Sequence, residues 1–106
     1  MPKYLVQFSY TSEGAKGLLK EGGTSRRAAT EKLVKSLGGT QEAYYFAFGE
    51  SDGFVIADLP DNVSMAAVAL TVATSGLVAV KTTVLLTPEE VDETMKKKPS
   101  YRPPGK

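Results

Sequence analysis

Asp52, in the run Gly49-Glu50-Ser51-Asp52-Gly53, offers the best single carboxylate for chemistry: at the rim of the domain it could act as an acid, a base or a ligand contact. The competing reading is structural, because Gly admits positive φ and Asp hydrogen-bonds backbone groups in turns. Lys81 stands between apolar strand residues and would be costly to bury unpaired, so if its face is covered it needs Asp58, Glu42 or a bound anion. Left at the edge, it simply reaches water. Gln7 could point a donor and an acceptor into a cavity, or bridge waters at an interface.

Tyr45 lies in an aromatic run with Tyr44, Phe46 and Phe48 that could stack on a flat ligand. Stacking on nucleic-acid bases also needs a basic groove, and none is evident. Core and dimer packing explain the aromatics equally well. Arg26 and Arg27, at a helix start, could hold an anion near free N–H groups, although surface arginines need no such explanation. Gly22-Gly23-Thr24-Ser25 is a poor phosphate cradle, since it joins two helical pieces and lacks the strand, helix and lysine of a P-loop.

Two residue types are missing altogether. Without histidine there is no ordinary general base near neutrality and no Ser-His or Cys-His nucleophile. Without cysteine there is no thiolate and no disulfide framework, which agrees with a reducing, cytoplasmic setting. Only oxygen donors remain for a metal, and no carboxylates show the spacing of a binding loop, so neither metal nor cofactor is expected. An enzyme made from this chain would rely on Asp, Glu, Lys, Tyr or Arg, or on the reactivity of its substrate.

The elements that must position these residues follow from patterning. Tyr4, Val6, Phe8 and Tyr10 alternate with Leu5, Gln7 and Ser9, giving a half-buried first strand. Thr11 or Ser12 can cap a helix to Lys20 or Glu21, broken at Gly22-Gly23; Thr24 or Ser25 can cap its second half. There Leu33 and Leu37 would face the sheet before Gly38-Gly39 ends the helix. Residues 41–48 and 54–59 read as two strands joined by the Gly49–Gly53 turn. Asn62 or Ser64 can cap a small-faced helix through Ala66, Ala67, Ala69, Leu70 and Ala73, with Gly76 as its stop.

Residues 78–86 alternate as a fourth strand, and Thr87-Pro88-Glu89-Glu90 opens a short helix. The order βαββαβ predicts a ferredoxin-like α+β fold with a four-stranded antiparallel sheet, helices on one face. The even residues of the first and last strands belong to the covered core and the odd ones to the open face. That open face carries Leu5, Ala79 and Leu85, too apolar to be left in water, so pairing of two sheets in a homodimer is expected. Residues 1–95 form the domain and 96–106 a basic, proline-containing tail.

Size and charge agree. A chain of 106 residues with 42% hydrophobic and 24% charged residues is an ordinary globular domain, able to bury roughly two-thirds of its unfolded surface. Thirteen basic against twelve acidic residues leave a formal charge of +1, so no global field recruits nucleic acid or anionic lipid. The most apolar stretch, Met65–Leu70, is far short of the ~20 residues that cross a bilayer.

Tyr4-Leu5-Val6-Gln7-Phe8-Ser9-Tyr10-Thr11 with Glu13-Gly14, the Phe48-Gly49-Glu50-Ser51-Asp52 turn, and Lys81 through Glu90 together resemble the GYD domain family over roughly residues 3–95. That family takes its name from a Gly-Tyr-Asp signature in the turn after the second strand. Gly49 and Asp52 match it, and Ser51 stands in place of the tyrosine. The resemblance implies a relation to dimeric α/β-barrel proteins, in which two such sheets face each other, and supplies no activity. The expected function is a small-molecule-binding homodimer whose interior is lined by Gln7, Tyr45 and Lys81. The alternatives are a cofactor-independent enzyme using Asp52 or Tyr45, and a purely structural or protein-binding module.

Overall fold

The computed structural model describes residues 1–106. In chain order they form β1 (Lys3–Tyr10), α1 (Ser12–Glu21), α2 (Gly23–Ser36), β2 (Thr40–Phe46), β3 (Gly53–Asp58), α3 (Asn62–Ala73), β4 (Val78–Leu85) and α4 (Pro88–Thr94). The sheet is antiparallel throughout in the order β2-β3-β1-β4, a ferredoxin-like α+β arrangement. Tyr4 and Phe8 lie under the helices with Val55 and Ala57, as the even-position assignment for β1 requires. On β4 the rule holds only in part, because Thr82 and Val84 reach past the helices and stay exposed.

Caps differ from expectation at two helices. Neither Thr24 nor Ser25 caps α2; Gly22 precedes it with φ +92° and ψ 159°, a conformation essentially closed to residues with a Cβ. The chain therefore turns sharply there, and α1 and α2 run as separate helices. α3 is capped by Asp61, whose carboxylate accepts from the Ser64 N–H at 2.8 Å, and not by Asn62 or Ser64. That bond holds the Asp61 carboxyl below its usual range. At α4 the Thr87 hydroxyl and the Glu90 carboxylate bond each other's backbone N–H in a full capping box.

The helices' inward stripes also differ from expectation. Leu37 is exposed, and Val34, with Leu33 beside it, makes the contact of α2. α3 packs through Met65, Val68, Ala69 and Val72, leaving Leu70 two-thirds exposed. The fully buried core is small: Tyr4, Phe8, Val34, Val55, Ala57, Leu59, Met65 and Val68. Tyr4 is buried down to its hydroxyl, which donates to Asn62 at 2.5 Å, and burial raises its pKa.

α2 packs over β2 at one edge of the sheet and α3 over β4 at the other. The seam between them runs above the central strands β1 and β3. Beyond β4, residues 88–106 are exposed along their whole length. The radius of gyration is accordingly 16.9 Å, with extents of 57 × 33 × 23 Å, against about 13 Å for a compact chain of this length. No helix is long and apolar enough to cross a membrane.

Candidate functional site

Three of the four residues singled out from the sequence share one cross-strand row. Register places Tyr45 beside Phe54, Phe54 beside Gln7, and Gln7 beside Lys81, so the row crosses all four strands on the open face. The next row is Ala43, Ile56, Leu5 and Thr83. Lys81 is exposed, and neither proposed carboxylate partner reaches it, because Lys3 holds both. The Lys3 ammonium bonds Glu42 and lies 3.1 Å from Asp58 Oδ1, and these two hydrogen bonds raise its pKa. The face thus joins an apolar centre to one ion-paired corner and one unpaired lysine.

Asp52 lies apart from that row. Its Oδ2 accepts from the Tyr10 N–H at 2.7 Å, its own N–H donates to the Phe8 carbonyl at 2.8 Å, and its carbonyl accepts from Ala47 N–H at 2.7 Å. Phe8 and Gly53 are the last partners in the β1–β3 ladder, so the carboxylate serves a strand donor beyond the reach of backbone pairing.

The concave feature lies on the covered face. Helices over opposite edges leave a cleft above the middle of the sheet, and Val6, on a central strand, is only partly buried at its floor. The cleft holds a cavity of about 60 Å³, several times the ~10–15 Å³ that one water needs. Fifteen of its seventeen lining residues are hydrophobic, so water finds few partners there. The exceptions are Arg26 and Thr30, and the Thr30 hydroxyl is satisfied by the Arg26 carbonyl at 3.0 Å.

At the Arg26 end the cleft is aromatic. The Phe8 ring packs with its centroid 5.5 Å from that of Tyr10, 5.4 Å from Tyr44 and 6.0 Å from Phe46. Gly53 makes this possible, since a Cβ there would lie 2.1 Å from Phe8 Cζ. Burial, chiefly, pushes the Tyr44 pKa far up, with the nearby Tyr10 hydroxyl acting in the same direction and Arg26 opposing it. From residue types alone Arg26 is only a candidate anion holder at a helix start, with no link to Tyr10, Tyr44 or Thr30. The available signal is the spacing Arg26, Thr30, Leu33, Val34, which puts one cation at the head of an apolar helical stripe.

Fold and surfaces define a ferredoxin-like α+β domain with an apolar open face on one side and a cleft on the other. The chain belongs to the GYD domain family, which matches residues 4–95. A crystal structure of a protein of unknown function from Nitrosomonas europaea is similar to it at 18% sequence identity, covering 94% of this chain and 96% of that one, with a TM-score of 0.42. No curated protein matches. Neither the family nor this similar structure carries a named activity.

Proposed function

We propose that this chain is a small-molecule-binding module that works as a homodimer, with the two open faces packed together and the ligand held in the cleft between α2 and α3. The observation that carries the reading is the incompletely covered floor of that cleft: a central-strand valine, Val6, is only partly buried between two helices that stand over opposite edges of the sheet. An apolar lining with a few polar groups is the usual character of a small-molecule site, but such sites are usually ~300 Å³ or more, so a cavity of about 60 Å³ has to widen to take a ligand with a ring. The row Tyr45, Phe54, Gln7 and Lys81 is flat, and its part in this reading is to form the dimer contact around Leu5 and Ile56. The absence of cysteine favours the cytoplasm as the place of action.

Thermal-shift screening against small aromatic and carboxylate metabolites tests the reading. A saturable rise in Tm that is lost in Val6→Trp, which fills the floor, is the expected result. If no compound shifts the wild type, or Val6→Trp responds as the wild type does, the cleft is not the site.

A further inference from the structure

We infer that the molecule held in the cleft is an amphiphilic monoanion, a carboxylate on a small apolar body, with its charge received by Arg26. This rests on the cleft being the binding site. Most of the rest of its lining is apolar: Thr30 already donates to a backbone carbonyl, and the remaining polar atoms are the neutral hydroxyls of Tyr10 and Tyr44. Arg26 is different. Its Nε–H is buried without a hydrogen-bond partner, and its Nη1 comes only to 3.7 Å from Glu21 Oε2. A buried guanidinium donor left unpaired is unfavourable, and a carboxylate satisfies it well, since the planar fork presents two parallel N–H groups to two oxygens.

Position supports the same assignment. Arg26 lies in the first turn of α2, where backbone N–H groups and the helix dipole add to its positive charge. The aromatic end of the cleft is next to it, so a ligand whose carboxylate meets Arg26 would lay its body against Phe8, Tyr10 and Tyr44. Offset or edge-on ring contacts there favour an aromatic body. Glu21 stands 3.7 Å from Arg26 and already offsets part of the charge, so the cleft favours at most a single negative charge and a phosphate dianion would retain an uncompensated one in apolar surroundings.

Titration calorimetry with 3-phenylpropionate and its neutral analogue 3-phenylpropanol, on the full chain, tests the assignment. The carboxylate should bind at least ~10-fold more tightly than the alcohol, in the range expected for a charge-assisted hydrogen bond. Arg26→Gln should abolish that preference, bringing the carboxylate's affinity to within about twofold of the alcohol's. Equal affinity for both compounds in the unaltered protein, or a preference that survives in a folded Arg26→Gln, overturns the role of Arg26 and leaves the cleft standing as an apolar site. Failure of both compounds to bind the unaltered protein overturns the cleft itself, and with it this inference. The comparison in the unaltered protein decides the head group even if the variant does not fold.

Discussion

Asp52 shows how a residue suited to chemistry can be spent on architecture. Where the β1–β3 ladder stops at Phe8 and Gly53, its carboxylate takes the Tyr10 N–H while its backbone bonds Phe8 and Ala47. Removing the acceptor should strand a partly buried donor. Asp52→Ala is therefore expected to lose about 1–3 kcal/mol. Asp52→Asn, which keeps an oxygen but no charge, should lose less, because bonds to charged groups are the stronger ones. Urea unfolding with an unchanged m-value measures both. If neither substitution lowers stability, the bond has no structural weight and the carboxylate is free for another use. The choice between these roles was open in the sequence, since a turn aspartate has the same neighbours in either case. What supports the structural role is the bond to Tyr10, forty-two positions away, and no local pattern reports that contact.

At the scale of elements, alternation and capping residues were legible wherever one local rule governs. The β1 faces follow from period two, and Thr87-Pro88-Glu89-Glu90 forms the expected helix start. β2 was harder. A bulge between Gln41 and Ala43 changes its phase, so Gln41 and Tyr44, three apart, pair with the core residues Ala57 and Val55 while Tyr45 goes to the open face. Within the aromatic run itself ordinary alternation holds, with Tyr44 and Phe46 against Phe8 and Tyr45 on the open face, and the bulge puts only Gln41 out of phase with it. The α2 cap was missed for a related reason: Thr24 and Ser25 have suitable side chains, but the turn is set by the backbone of Gly22. That turn aims the first turn of α2, and so Arg26, at the cleft. Gly22→Ala should lose about 1–3 kcal/mol from the forced positive φ alone, because nothing lies within 4 Å of the added Cβ. Gly17→Ala meets equally open space on the ordinary helical backbone of α1 and should gain about 0.5–1 kcal/mol. One chemical change with opposite signs at two sites separates backbone conformation from packing, and thermal unfolding of the two variants checks it.

At the scale of the whole molecule, folding leaves much of the apolar surface uncovered. Only eight hydrophobic residues are fully buried, while the open face presents Leu5, Phe54, Ile56 and Leu85 half-exposed around Tyr45 at 70% exposure. An apolar centre bordered by Gln7, Lys81 and the Lys3 ion pairs has the composition expected of an interface, and two-fold pairing is the commonest way for a soluble chain to cover one. Such a dimer should bury well over ~1,000 Å² in total, with Leu5 and Ile56 near its centre. Lys81 and Gln7 would then face polar groups of the other copy across the sheet, since an unpaired lysine buried there would be costly. An aspartate at position 5 or 56 places a new charge in the apolar centre, so Leu5→Asp and Ile56→Asp should give folded monomers. Light scattering at micromolar concentration reads the outcome directly: two-chain mass for the natural sequence and one-chain mass for the variants, with circular dichroism confirming the sheet. One-chain mass for the natural sequence would defeat the pairing. Residues 99–106 form no helix or strand and are exposed, so truncation after Lys98 should leave the two-chain mass unchanged. If the truncated protein dissociates instead, the contact includes the arm that projects beyond β4, where Val91, Met95 and Tyr101 are exposed, and the open faces alone are not enough to hold two copies together.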